Sequence, residues 1–192
     1  MATIGLIRHG ITDWNELGKA QGVSDLSLND LGRSQAKRLG QRHSQDEDWD
    51  MLITSNLLRA VETARIIGNI INRPISSIDN RIREINCGMI EGTTDEERIN
   101  KWGRNWCNLE LGIENFENVA TRGLDFLEDI ERLYKNKRVL AVSHGALIGL
   151  TLQRLLPEEF QTTYIENTSL TIIRKNEDRW RCQLYNCTIH LK

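Results

Sequence analysis

Ile4, Leu6 and Ile7 form an apolar run of strand composition that stops at Arg8 and His9 and is followed at once by Gly10. A buried strand there delivers an Arg-His pair to its carboxyl end, where the backbone has to turn sharply at the glycine. Val139 to Val142 repeats the arrangement: the run closes with Ser143, His144 and Gly145 and passes into a helical stretch, Ala146–Leu156, stopped by Pro157. The carboxyl edge of an open α/β sheet is where ligands bind. Either histidine alone reads first as a structural hydrogen-bonding residue, but two strand-His-Gly units in a chain with four histidines point to a shared site.

Between these runs the period changes. After Asn15 a polar stretch with Gly18, Gly22 and Asp25 reads as a loop over the end of the first strand. Leu31, Ala36, Leu39 and His43 then follow a 3.6-residue pattern that predicts a helix over about residues 30–45, with Asn29 as its N-cap. The charged break Gln45–Asp48 leads to a strand, Trp49–Thr54, and a crossover of that length favours parallel pairing. Ser55 or Asn56 caps the next helix, which runs to Ile71 with Leu57, Leu58, Val61, Ala64, Ile67 and Ile71 as its apolar stripe. Arg59 falls in its first turn, where a cation opposes the helix dipole. That placement suggests a use for the charge, the alternative being a solvated arginine.

Pro74–Ile78 is a third strand, and Asp79–Gly92 has neither strand nor helix period. It carries two carboxylates, Glu84 and Glu91, and an irregular charged loop after a strand is a usual place for a catalytic acid, although a lone acidic loop residue is more often merely solvated. Thr94–Leu109 reads as a helix with Trp102 and Trp106 at i, i+4 serving as core anchors or a lid. Asn115–Lys135 reads as a longer helix burying Val119, Leu124, Leu127, Ile130 and Leu133. Ser169–Arg174 and Arg179–Tyr185 make a hairpin-like pair through Lys175–Asp178.

Composition narrows the function classes. With 192 residues, 39% hydrophobic and 27% charged, the chain suits one domain over residues 1–192. A net charge of -2 and a pI near 6.1 argue against a nucleic-acid partner, so any anion has to be gripped locally. No run of about 18 apolar residues is present, which argues against a membrane span. No basic region precedes the first apolar run, which argues against a secretory signal and for a cytoplasmic address. Cys87, Cys107, Cys182 and Cys187 lack CxxC spacing, so zinc knuckles and redox dithiols are not expected.

The remaining chemistry lies in Arg8, His9, Arg59, Glu84 and His144. Two arginines and two histidines at strand ends make a compact cationic pocket in a slightly acidic protein, and phosphate is the ligand that fits it. Arginine forks match phosphate oxygens bidentately, the helix N-termini after Ser55 and Gly145 can add backbone donors, and a neutral imidazole among such donors can attack phosphorus.

LIRHG, SNLLRAVETA, REINCGMIEG and VSHGALI resemble, in that order, the four signatures of the histidine phosphatase superfamily, also called phosphoglycerate mutase-like. QGVSDLSLNDLGRSQA and IENTSLTII resemble its intermediate and late segments, so the likeness covers nearly the whole chain. The resemblance implies a covalent two-step mechanism. His9 takes the phosphoryl group, Arg8, Arg59 and His144 clamp its equatorial oxygens, and Glu84 protonates the leaving alcohol and then deprotonates the attacking water. It also implies that Asn15 contacts phosphate, that Gln21 and Gly22 belong to a loop touching substrate, and that Gly145 opens a phosphate-facing helix. No metal or organic cofactor is implied.

The implied fold is a three-layer α/β/α sandwich with a mostly parallel sheet, in which the C-terminal hairpin can supply one antiparallel strand. Mutases of the family usually carry a longer insertion between the acid and the second histidine and an extended tail that keeps water from the phosphoenzyme. The short Glu84–His144 interval and short tail here favour a small phosphomonoester phosphatase. A phosphoglycerate mutase and a non-catalytic phosphate-binding module are the alternatives. Ile11 stands where the family commonly has Glu or Gln, which suits a more apolar leaving group, and Cys87 and Ile90 depart from the aromatic residues frequent in the acid's loop. His43 and His190 receive no role, and the natural phosphoester and oligomeric state stay open.

Overall fold

The computed structural model describes every residue except Glu47, Glu177 and Asp178, and residues 44–46 by their backbone alone. Six strands form one sheet: β1 (Thr3–Arg8), β2 (Met51–Thr54), β3 (Ile75–Ile78), β4 (Arg138–Ser143), β5 (Leu170–Asn176) and β6 (Arg179–Cys187), in the order β3-β2-β4-β1-β5-β6. The pairs β1/β4, β2/β4 and β2/β3 are parallel, while β5 is antiparallel to both β1 and β6. The C-terminal hairpin therefore supplies the one reversed strand of an otherwise parallel sheet. Its expected turn includes Glu177 and Asp178, and the expected charged break before β2 includes Glu47; both fall outside the described residues.

Helices α1 (Asp13–Glu16), α2 (Asp30–Asp46), α3 (Leu58–Ile70), α4 (Asp95–Trp102), α5 (Phe116–Leu133) and α6 (Gly145–Leu155) complete the fold. Strand alternation sorts the core into two faces. Ile4, Leu6, Val139 and Ala141 pack with Val119, Phe126 and Leu127 of α5 and Leu147, Ile148 and Leu152 of α6. Ile7, Leu140 and Val142 pack instead with Leu39 of α2 and Ala60, Ala64 and Ile67 of α3. This is the expected three-layer sandwich. Trp49 lies just before β2 and is buried over Gly5, where an added Cβ would stand 2.7 Å from its ring, and its Nε1–H donates to His43 Nδ1 at 3.2 Å.

Three local expectations are corrected. The stretch Thr94–Leu109 is not one helix: α4 ends at Gly103, whose φ of 83° suits glycine, and Trp106 lies in a separate 3-10 turn. Trp102 and Trp106 are half-buried, under cations from Lys101 and Arg98, and do not anchor the core. Neither Ser55 nor Asn56 is the N-cap of α3. That position is Leu57, and the cap comes from a distant loop, the Asp25 carboxylate accepting the Leu58 N–H at 2.7 Å. Gly10, finally, is required by close packing and not by a left-handed turn, since a Cβ there would lie 2.6 Å from the Gly32 carbonyl at the start of α2.

Candidate active site

Parallel pairing in register carries the two strand-end histidines to one place. Arg8 sits opposite Ser143, the His9 N–H donates to the Ser143 carbonyl at 3.0 Å, and the rings of His9 and His144 lie 5.2 Å apart between centroids. Both rings are buried. The adjacency follows from β4 inserting beside β1, so residues 135 apart in sequence become neighbours at the carboxyl edge.

The protonation pattern of His9 is fixed by its surroundings. Its Nδ1 faces the Gly10 carbonyl at 2.7 Å and must carry the proton there, which leaves Nε2 with its lone pair. The Arg59 Nε–H points at that lone pair from 3.2 Å. Burial, then Arg59 and Arg8, hold the His9 pKa well below the ordinary value, and burial, then Arg59, does the same for His144. Both imidazoles are thus neutral near pH 7. His144 Nε2 is 2.8 Å from Ser55 Oγ, and its Nδ1 is buried without a hydrogen-bond partner among the described residues.

Arg59 is fully buried on the first turn of α3. Its NH2 donates to the Gly22 carbonyl at 2.7 Å and its NH1 to the Ser24 carbonyl at 2.8 Å. A guanidinium has five N–H donors; three are committed, to Gly22, Ser24 and His9, and two remain. The Asp25 carboxylate at the same helix start offsets the unfavourable placement of a cation there. Arg8 donates NH1 to the Ile165 carbonyl at 2.6 Å, while its Nε is buried without a partner among the described residues. Burial lowers the pKa of both arginines, and Glu84 is the largest opposing influence on each, so the carboxylate lies within their field.

Glu84 leads the irregular loop toward α6. Its Oε2 accepts from the Ala146 N–H at 3.3 Å, and its Oε1 from the Leu147 N–H at 3.2 Å and its own neighbour Ile85 at 3.0 Å. Of the backbone donors at the starts of α3 and α6, the Leu58 N–H serves Asp25 and the Ala146 and Leu147 N–H groups serve Glu84. Gly145 instead packs on Arg8, with an added Cβ at 3.4 Å from its Nε.

Asn15 Oδ1 accepts from the Thr12 N–H, the Thr12 hydroxyl and Asn167 Nδ2 at 3.1, 3.2 and 3.4 Å, which fixes its amide so that Nδ2 is the group left to donate. Gln21 is buried, its Oε1 without a partner among the described residues, and Gly22 uses its carbonyl on Arg59.

Sequence reasoning missed several supporting residues. Thr63 accepts from the Gly10 N–H at 3.0 Å and donates to the Arg59 carbonyl at 2.7 Å. Asn167 donates to the His9 carbonyl at 3.0 Å. Arg122 donates to the carbonyls of Arg81, Arg83 and Glu84 and pairs with Glu114 at 3.0 Å, bracing the acid's loop from α5. Thr63 and Asn167 lie inside the SNLLRAVETA and IENTSLTII segments and Arg122 inside the periodic run of α5, but no spacing along the chain marked their partners.

A cavity of about 1040 Å³ opens beside Arg8 and Glu84. Ile85, Ile90, Leu109, Leu111, Ile113 and Leu150 line it with Trp106 and Tyr164, and among the described residues Arg8 is the one cation on its wall, which also includes the carboxylates Glu84, Glu110 and Glu114. Among the described residues no three His, Cys, Asp or Glu side chains converge as metal ligands, and no helix is long and apolar enough to cross a membrane.

Comparison with known proteins places this arrangement. The model of the histidine phosphatase superfamily (branch 1) matches residues 4–188. An uncharacterized phosphatase, PhoE, of Bacillus subtilis is 36% identical over 193 residues, spanning 100% of this chain and 97% of that protein. Among solved structures, Bacillus stearothermophilus YhfR superposes with a TM-score of 0.87 at 29% identity, both chains fully covered. The phosphoserine phosphatase of Entamoeba histolytica in complex with 3-phosphoglyceric acid superposes with a TM-score of 0.84 at 30% identity, again with both chains fully covered.

Proposed function

This chain belongs to the histidine phosphatase superfamily, and from that membership we propose that it is a phosphomonoesterase acting on small phosphorylated metabolites through a phosphohistidine at His9, in one domain of residues 1–192. The observation that carries the reading is the state of His9: a buried neutral imidazole whose Nδ1 is tied to Gly10 and whose Nε2 lone pair faces the cluster of cations.

The reaction has two balanced halves. In the first, Nε2 forms a bond to phosphorus as the bond from phosphorus to the ester oxygen breaks, and Glu84 gives its proton to the departing alkoxide. In the second, Glu84 takes a proton from water, the oxygen bonds to phosphorus, and the nitrogen–phosphorus bond breaks to return His9 and release phosphate. Charge on the equatorial oxygens is met by the two spare donors of Arg59, the Nε of Arg8 and His144 Nδ1, with Asn15 Nδ2 at the rim. Such fixed donors act most strongly where burial excludes water. No metal or organic cofactor enters either half, and the substrate is a small molecule, neither nucleic acid nor membrane. A cytoplasmic address belongs to the same reading; the four cysteines are free, as reducing surroundings would keep them.

The leaving alcohol takes the apolar cavity. Its one cation, Arg8, is committed to the phosphoryl group, which leaves carboxylates and apolar walls for the rest of the substrate, so a bulky uncharged alcohol fits better than one bearing a carboxylate. The test is release of phosphate in EDTA from p-nitrophenyl phosphate and from a matched pair, phosphoethanolamine and phosphoserine, which differ by one carboxylate. Metal-independent turnover with phosphoethanolamine preferred over phosphoserine supports the reading. No hydrolysis, or interconversion of 2- and 3-phosphoglycerate in its place, overturns it.

A further inference from the structure

Glu91 shares the acid's loop with Glu84 but has no place in the chemistry above. Its carboxylate is nonetheless saturated. Oε1 accepts from the Val23 N–H at 3.0 Å and the Cys87 N–H at 3.2 Å, and Oε2 from the Ser24 N–H at 3.0 Å and the Ser24 hydroxyl at 2.6 Å. Gly22 has a φ of 52°, and a Cβ on it would stand 2.0 Å from Glu91 Oε1. Glycine is thus required there both by backbone conformation and by the carboxylate pressed against it.

The other side of the same loop holds Arg59. The peptide joining Gly22 to Val23 gives its carbonyl to the guanidinium and its N–H to Glu91. The Ser24 residue likewise offers its carbonyl to Arg59 and its N–H and hydroxyl to Glu91. A cation and an anion therefore grip opposite ends of the Gly22–Val23 peptide dipole and hold the two peptides that flank Ser24 from either side, and each contact polarises the next. From Arg59 the line continues to His9 Nε2.

We infer that Glu91 is a positioning residue for phosphoryl transfer: by fixing the orientation of the 22–24 peptides it fixes the carbonyls that aim Arg59 at the nucleophile and the phosphoryl oxygens. The inference rests on the roles of His9 and Arg59 proposed above. Without a charged acceptor, the peptide after a glycine is free to rotate, and Arg59 loses its two anchors. The loops themselves stay together, because Ala20 pairs by backbone with Gly92 and Thr93 at 2.8 and 3.0 Å.

Glu91→Gln replaces one accepting oxygen with a donor, and Ser24→Ala removes only the hydroxyl contact. Glu91→Gln is expected to lower kcat/KM about ten- to a hundredfold, by the same factor for p-nitrophenyl phosphate and for an alkyl phosphate, and to weaken competitive inhibition by inorganic phosphate. Ser24→Ala shows the same uniform pattern at several-fold. In single-turnover reactions with p-nitrophenyl phosphate, the loss from Glu91→Gln shrinks to less than about twofold once Arg59→Ala is present, because residues acting as one unit are not additive.

Losses confined to the alkyl ester, which would route Glu91 through Cys87 to the acid, overturn the inference, as does full additivity with Arg59→Ala. If Glu91→Gln does not fold, Ser24→Ala decides: a uniform loss upholds the inference and wild-type rates overturn it. Phosphate inhibition reads the clamp without any phosphohistidine, so a failure of the covalent mechanism and a failure of this inference give different results.

Discussion

The two ends of the pocket are built on opposite plans. At the phosphoryl end His9, Arg59 and His144 are buried, and hydrogen bonds fix Arg59, both nitrogens of His9 and one of His144. At the alcohol end the cavity is walled by Trp106, Leu109 and Leu111, on a segment with a 3-10 turn and Gly112, and by Phe116 at the start of α5, of which Leu109 and Phe116 are exposed. Dense polar satisfaction fixes geometry to within what catalysis needs, whereas an apolar wall selects by shape and tolerates exchange. Under the proposed function, the chemistry is held constant by one region while substrate choice is left to the other.

His9→Ala should break the first region outright, with turnover falling about 10⁴-fold or more for every ester and no phosphorylated protein detected. Arg59→Ala should cost about 10²- to 10³-fold in kcat, equally for aryl and alkyl esters, as measured by steady-state kinetics across leaving groups. Glu84→Gln stands at the junction of the two regions. It should slow alkyl phosphates about 10²-fold or more while p-nitrophenyl phosphate, whose leaving group needs no proton, loses far less. Equal losses for both would remove Glu84 as the acid.

Leu111→Ala acts on the second region alone, raising KM for bulky apolar esters about tenfold while phosphoethanolamine keeps wild-type constants. The smallest effect is on stability. The folded-state pKa of all four histidines is depressed, to about 4 for His43 and His190, so the unfolded chain binds more protons below the ordinary histidine value. The melting temperature should fall as pH drops from about 6.5 toward 4, followed by calorimetry.

Legibility in the sequence divides along the same line. The strand-His-Gly units, Arg59 and Glu84 were readable because strand ends and helix starts are local features, and the two histidines needed only parallel pairing of β1 and β4 to meet. The supports of Glu84 and Arg59 were not readable. Arg122 reaches the Glu84 carbonyl across 38 residues, Asp25 reaches the start of α3 across 33, and Thr63, one turn from Arg59, ties that helix to Gly10 across 53, and no periodicity encodes such long-range contacts. The false helix over Thr94–Leu109 had a visible warning in Gly103, followed at once by Arg104 and Asn105, and the apolar cavity is lined in part by the segment that this error straightened. The pattern was misread along the wall of the cavity, whereas the two strand-end histidines do meet, as their repeated pattern predicts.

The most direct measurement is rapid-quench labelling with a phosphoryl-labelled substrate, followed by mapping of the modified residue. The account predicts an acid-labile, base-stable phosphoryl group on His9, formed and lost at rates consistent with turnover. Full turnover with no trapped phosphoprotein, or a phosphoryl group on any other residue, would contradict it.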